Sequence, residues 1–168
     1  MSKDTSTVRV TVARIEETLA GSAAFTRIEP RFYLVRQGSA YVYIHVLDWG
    51  GDRALVRLVA QLAHGVEMTP DLAIKLLRLN ARLRFGAFGY VAQGSCVVFA
   101  HTLLGGETLD AQEITAALTD LSMLADEFDD RIVEEAGGKT MQALIDASAT
   151  AAFFADLDPS PSGAWDRE

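Results

Sequence analysis

The residues of this chain best suited to chemistry are three histidines, His45, His64 and His101, and one cysteine, Cys96. The histidines are far apart, and their spacing matches no metal-binding pattern. His45 and His101 lie among apolar residues in strand-like runs, which is typical of structural histidines that have hydrogen-bond partners. A paired metal or proton-relay site that includes both is the alternative. Cys96 has apolar neighbours and no nearby base in the sequence, so we predict a buried, unreactive thiol.

A second candidate is the acidic run in which Asp126, Asp130 and Glu134 are spaced four residues apart. This spacing places three carboxylates on one face of a helix, and carboxylate oxygens bind divalent cations. A single helix face supplies too few ligands, so we interpret these residues as a solvated acidic face. The chain also lacks a phosphate-binding glycine loop and a nucleophile elbow. We therefore predict no catalytic residue, no metal site and no cofactor, and a protein that is not an enzyme.

The composition indicates a single globular domain. The chain has 168 residues, 49% of them hydrophobic, and its one cysteine excludes an intrachain disulfide. It contains no apolar run of membrane-spanning length and no apolar signal core at the N-terminus, so we predict a cytoplasmic protein that does not contact a membrane. The net charge is +4 in residues 1–106 and −12 in residues 107–168, which together give −8. This asymmetry disfavours nucleic-acid binding and allows a basic face that meets an acidic partner or the acidic part of a second subunit.

The first half of the chain changes from a helical period to a strand period. Apolar residues at helical spacing predict a helix over residues 7–20. A period of two then predicts three antiparallel strands with short turns between residues 25 and 62. The first of these is read as one strand that is entered through Pro30, since proline suits a strand start better than a strand interior.

The second half begins with a helix that has Thr69 as its cap and Pro70 at its first position. Two strands follow, and a long helix with an apolar seam begins near Leu109 with Thr108 as its cap. The predicted order is α-β-β-β-α-β-β-α, an α+β fold with helices packed on an antiparallel sheet. We predict one domain over residues 1–150 and a flexible C-terminal tail over residues 151–168.

Two groups of side chains are candidates for a partner-binding surface. Tyr41, Tyr43 and Trp49 are aromatic residues of the predicted sheet, and aromatic residues are enriched at protein interfaces. Their alternative position is beneath a helix. Arg78 and Arg82 belong to a basic stripe on the helix after Pro70, beside a separate leucine stripe. We predict that these aromatic and arginine residues bind a partner polypeptide.

Three short motifs resemble the YbjN-like family, bacterial proteins described as sensory transduction regulators. They are Leu-x-x-Leu-Asn at residues 76–80, Gly-x-Phe-Gly at residues 86–89 and Ala125-Asp126 in the last helix. We interpret the two glycines as sites of a bulge or of close backbone packing. The resemblance covers residues 8–135, and the fold of this family is similar to that of type III secretion chaperones of the Tir-chaperone class. It implies a homodimer without a cofactor or catalytic residues, and those chaperones bind an unfolded effector segment across sheet and helix surfaces.

We therefore predict a non-enzymatic protein-binding module, chaperone-like or regulatory, that binds a partner polypeptide on sheet and helix surfaces. We also predict a homodimer, because the leucine stripe and the apolar seam offer more apolar surface than one sheet face covers. One alternative is a small-ligand sensor with its ligand between sheet and helix. The less favoured alternative is an enzyme with a dispersed site built from His45, His101 and a carboxylate such as Asp48. That site requires the two histidines to converge in one pocket.

Overall fold

The computed structural model of this chain describes residues 5–146, which form a seven-stranded antiparallel sheet with helices on both faces. The elements in chain order are α1 (Ser6–Leu19), β1 (Phe25–Glu29), β2 (Phe32–Gln37), β3 (Ala40–Asp48), β4 (Ala54–His64), α2 (Pro70–Asn80), β5 (Ala87–Val91), β6 (Cys96–Leu104), α3 (Ala111–Ala136), β7 (Lys139–Thr140) and α4 (Met141–Asp146). The strand order is β1-β2-β3-β4-β6-β5, and β7 pairs with the end of β4. This confirms the α+β prediction and adds one strand before α2, with β7 and α4 after α3.

The predicted first strand is in fact two strands, β1 and β2, which form a hairpin in which Glu29 pairs with Phe32. Pro30 and Arg31 lie between them, and Arg31 has a φ of 68°. Proline has no N–H to donate to a strand ladder, and the left-handed conformation of Arg31 reverses the chain. The prediction of one continuous strand is therefore wrong.

The pleat of the central strands divides their side chains between two faces. The inner face consists of alternate residues of β3, β4 and β6: Val42, Ile44, Val46, Val56, Leu58, Ala60, Val97, Phe99 and Leu103. All three long helices pack on this face, through Val8, Ile15, Leu72, Leu76, Ile114, Leu118, Leu121, Ala125 and Ile132. Burying each large apolar side chain contributes roughly 1.5–3 kcal/mol, so this layer is the main source of stability.

The long helix α3 begins later than predicted. Asp110 is its cap, and the Asp110 carboxylate accepts a hydrogen bond from the backbone N–H of Glu113 at 2.7 Å. Leu109, just before the cap, is buried in the main core together with Ile114, which is the arrangement of a hydrophobic staple. The prediction that Thr108 caps a helix starting near Leu109 is therefore wrong by about two residues. The apolar seam of α3 is confirmed, and most of it packs in the main core on the protein's own sheet.

The outer face of the sheet carries the other alternate residues of the central strands, including Tyr41, Tyr43 and His45. After α3 the chain passes through Gly137 and Gly138 and pairs with the end of β4, and α4 then lies against this outer face. The predicted tail at residues 151–168, and the domain end predicted at residue 150, lie outside the described residues. Among the helices in residues 5–146, none is both long and apolar enough to cross a membrane.

Candidate functional site

His45 and His101 lie on opposite faces of the sheet. In the β3–β4 ladder His45 is opposite Arg57 on the outer face, whereas in the β4–β6 ladder His101 is opposite Leu58 on the inner face. The pleat therefore separates the two imidazoles. The enzyme hypothesis required them to share one pocket, so the dispersed site built from both residues is not formed.

The environments of His101 and Cys96 are those of packing residues. The His101 ring lies edge-on to Phe85 with 5.3 Å between ring centroids. Burial lowers the pKa of His101, and the carboxylates of Glu113 and Asp120 on α3 partly oppose this shift. Cys96 is buried as predicted, and Gln61 Nε2 donates a hydrogen bond to its sulfur at 3.8 Å.

The acidic run of α3 contacts the β2–β3 turn, where Ser39 Oγ donates a hydrogen bond to Asp126 at 2.5 Å. Burial raises the pKa of the neighbouring Asp129 above its ordinary value. Within residues 5–146, no group of three or more His, Cys, Asp or Glu side chains is close enough to hold a metal ion.

The five predicted partner-binding residues lie in three different places. Tyr41 and Tyr43 are buried on the outer face beneath Met141 of α4, so the alternative position beneath a helix is the correct one for them. Trp49 is exposed in the β3–β4 turn, and the Arg53 guanidinium lies 4.5 Å from its ring centroid.

Of the five predicted residues, Arg78 and Arg82 line a cavity between the α2 segment and α3. We call this feature the α2–α3 groove. It consists of two adjoining cavities of about 350 and 480 Å³ that share Lys75, Leu79 and Glu135. The groove is therefore the strongest candidate for a binding site.

Contacts at both ends of α2 hold it in place beside the groove. At its start, Thr69 Oγ1 accepts a hydrogen bond from the Leu72 N–H at 3.2 Å, which confirms the predicted cap. At its end, the Asn80 amide makes two hydrogen bonds to β5: it accepts from the Phe88 N–H at 2.7 Å and donates to the Phe88 carbonyl at 3.1 Å. Before α2, the Glu67 N–H donates to the Ala136 carbonyl of α3 at 3.0 Å. The hydrogen bonds of Asn80 and Glu67 therefore tie the two ends of the α2 segment to β5 and to α3.

The first cavity has an apolar floor, formed by leucines of α2 and by residues of α3: Leu72, Leu76, Leu79, Phe128 and Ile132. Phe128 is supported from behind by Phe88 of β5, with 5.1 Å between their ring centroids. The three leucines follow helical spacing, as do Phe128 and Ile132 four residues apart, so two apolar stripes meet along the groove. Such a floor can take the apolar side chains of a ligand.

The rim of the groove is charged. The ammonium group of Lys75 on α2 forms an ion pair with the Glu135 carboxylate of α3, which joins the two helices across the groove. On α3, the Arg131 guanidinium lies 3.2 Å from the Glu127 carboxylate and 5.6 Å from the Phe128 ring centroid. An apolar floor with an exposed charged rim is the usual composition of a protein interface.

The sequence reasoning found one wall of this groove and missed the other. The leucines of α2 and the basic residues Lys75 and Arg78 were recognised from their spacing. Phe128 and Ile132 were read only as parts of the α3 seam, and Glu135 was not singled out. The available signal was that the seam continues to Ile132 while glutamates flank it. This pattern predicts an apolar face at the last turns of α3, but it does not identify the element that packs against that face.

The chain belongs to the TY-Chap1 family, whose description is T3SS (YopN, CesT) and YbjN peptide-binding chaperone 1, and the family model matches residues 6–144. This confirms the resemblance to YbjN-like proteins and to type III secretion chaperones. The match also extends the resemblance past residue 135, through β7 and into α4. The family is one of peptide-binding chaperones, which supports a non-enzymatic protein-binding module with a polypeptide partner. No match to this chain was found among curated proteins.

Proposed function

We propose that this protein is a non-enzymatic, chaperone-like peptide-binding module whose partner lies in the α2–α3 groove. The observation that carries the proposal is the pairing of an apolar floor, which includes Leu79 and Phe128, with a charged and accessible rim. Apolar side chains of the peptide fill the floor, and polar contacts at the rim set its orientation.

Two exposed apolar residues of α2 make the groove testable. Ile74 is 48% exposed and lines the second cavity, whereas Leu77 is 66% exposed and lines neither cavity. Isolated exposed apolar residues are common, but Ile74 adds apolar surface at the mouth of a groove that already has an apolar floor. Leu77 is therefore a matched control on the same helix.

The experiment selects peptides from a randomised display library with the immobilised full chain and measures their affinity by fluorescence anisotropy. We expect Ile74→Ser to weaken binding of the selected peptides about five-fold, equivalent to roughly 1 kcal/mol of lost apolar burial. Leu77→Ser should leave the affinity within about two-fold of the wild type. Selection of no peptide above background, or equal effects of the two variants, would contradict the proposal.

The homodimer also belongs to this proposal. Since most of the α3 seam packs in the protein's own core, the apolar surface available to a second copy is that of exposed side chains outside the groove, such as Leu104 of β6, which is 64% exposed. Light scattering at micromolar concentration should give twice the chain mass of 18.2 kDa. A mass equal to one chain would exclude the dimer under those conditions, and the proposal that the groove binds peptides would not be affected. The cytoplasmic location stays a prediction.

A further inference from the structure

The Lys75–Glu135 ion pair lies at the boundary between the two cavities of the α2–α3 groove. Both residues line both cavities, and their side chains are 59% and 40% exposed. A peptide that extends from one cavity into the other meets this pair. Exposed ion pairs contribute little net free energy, because water and salt screen them, so a ligand can replace one partner at small cost.

The uncompensated charge of the groove is positive and lies at the C-terminal end of α2 and in the turn just after it. Within residues 5–146, neither Arg78 nor Arg82 forms an ion pair, although both line the second cavity. Asp71 and Glu135 are the acidic residues that line the same cavity, and Glu135 is already paired with Lys75. Guanidinium groups bind carboxylates in a planar, two-point geometry. A carboxylate brought by a peptide therefore finds unpaired cations there.

From these contacts we infer that the groove selects peptides in which an acidic side chain stands beside apolar ones. The acidic side chain binds the second cavity at Arg78 and Arg82 and competes with Glu135 for Lys75, while its apolar neighbours fill the first cavity. Glu135 thus acts as an internal competitor that weakens the binding of acidic peptides. This inference rests on the proposed function, because it assumes that the groove binds peptides.

The test uses two randomised peptide pools of equal length and equal apolar content. One pool carries Asp and Glu at its polar positions, and the other carries Asn and Gln. The full-length chain is immobilised and the enrichment of each pool is measured by sequencing. We expect the wild type to enrich the acidic pool about five-fold over the amide pool, and this ratio to fall as the salt concentration rises.

Two pairs of variants identify the residues responsible. Glu135→Gln removes the competing charge at constant size and should raise enrichment of the acidic pool about three-fold or more, whereas Glu134→Gln, at an exposed glutamate outside the groove, should not. Arg78→Gln combined with Arg82→Gln should remove the preference for the acidic pool. Arg84→Gln, at an exposed arginine that lines neither cavity, should keep it.

The outcomes separate this inference from the proposed function. If both pools are enriched equally and Ile74→Ser lowers the enrichment of both, the groove binds peptides but does not select acidic ones. The inference is then wrong, while the proposed function still holds. If neither pool is enriched, or Ile74→Ser has no effect on enrichment, peptide binding in the groove fails too. Loss of the acidic preference in Arg84→Gln as well as in the groove variants would show a general charge effect and overturn the inference.

Discussion

Gly86 lies where β5 approaches β6 too closely for a side chain. Its φ is 61°, and a Cβ placed on it would lie 2.7 Å from the ring of Phe99 and 2.8 Å from the carbonyl oxygen of Ala100. Gly89, in the same motif, needs no such freedom, because a Cβ there would meet Val98 at an ordinary 3.5 Å. The interpretation of the two glycines as close-packing positions is therefore confirmed at Gly86 only.

We expect Gly86→Ala to lower the free energy of unfolding by about 2–4 kcal/mol, since strain at a positive φ and overpacking against Phe99 add together. Gly89→Ala is the matched control and should change it by less than about 1 kcal/mol. Urea unfolding followed by circular dichroism measures both. Equal losses of unfolding free energy in the two variants would contradict the assignment of the close contact to Gly86.

At the residue scale, sequence reasoning predicted the basic side chains of the groove better than the aromatic ones. Helical spacing alone is enough to place Arg78 on the stripe of Lys75, whereas α2 ends at Asn80 and Arg82 lies in the turn after it, so the prediction that Arg82 is helical is wrong. Strand alternation likewise predicts that Tyr41 and Tyr43 share a face, but it does not say what covers that face. The Tyr41 hydroxyl donates to Gln142 at 3.1 Å, across 101 residues of sequence, and no local pattern encodes that contact.

At the scale of the element, the start of α3 depends on Asp110. Two capping residue types stand two positions apart in the sequence, Thr108 and Asp110, and periodicity alone does not choose between them. Burial decides, because Leu109 must reach the core from the position before the cap. A cap at Thr108 would place Leu109 inside the helix instead.

Asp110→Ala should lower the free energy of unfolding by about 1 kcal/mol, because the Glu113 N–H loses its acceptor and the helix start loses a favourable charge. Thr108→Ala should change it by less than about 0.5 kcal/mol, as expected for an exposed surface substitution. Thermal unfolding at neutral pH measures both. A larger loss from Thr108→Ala would mean that the helix begins where the sequence pattern placed it.

At the scale of the whole molecule, Met141 joins α4 to the outer face of the sheet. It is 3% exposed and packs against Tyr41 and Tyr43, whereas Met123 on α3 is 65% exposed. We expect Met141→Ala to cost about 2–4 kcal/mol of stability, and the control Met123→Ala to cost less than about 0.5 kcal/mol. Chemical unfolding monitored by tyrosine fluorescence checks this. If Met141→Ala is neutral, α4 does not contribute to the folded state.

The overall α+β order was predictable because each long element has its own period and its own end signals, such as Thr69 and Pro70 before α2. The groove was not predictable, because it exists only where α2 and the last turns of α3 meet. The position of α2 depends on contacts such as the one between Asn80 and Phe88. There the Asn80 side-chain amide makes the two backbone hydrogen bonds that a neighbouring strand would otherwise make. Local patterns report which face of a helix is apolar, and they do not report its neighbour.

The position of α4 has a dynamic consequence. Its cluster with Tyr41 and Tyr43 is separate from the main core, and β7, the strand that leads into it, has only two residues. The last turn of the described chain can therefore detach without opening the layer between the sheet and the long helices. Amide hydrogens of residues 139–146 should exchange much faster than those of β3 and β4, and each such opening would expose two tyrosine rings to water.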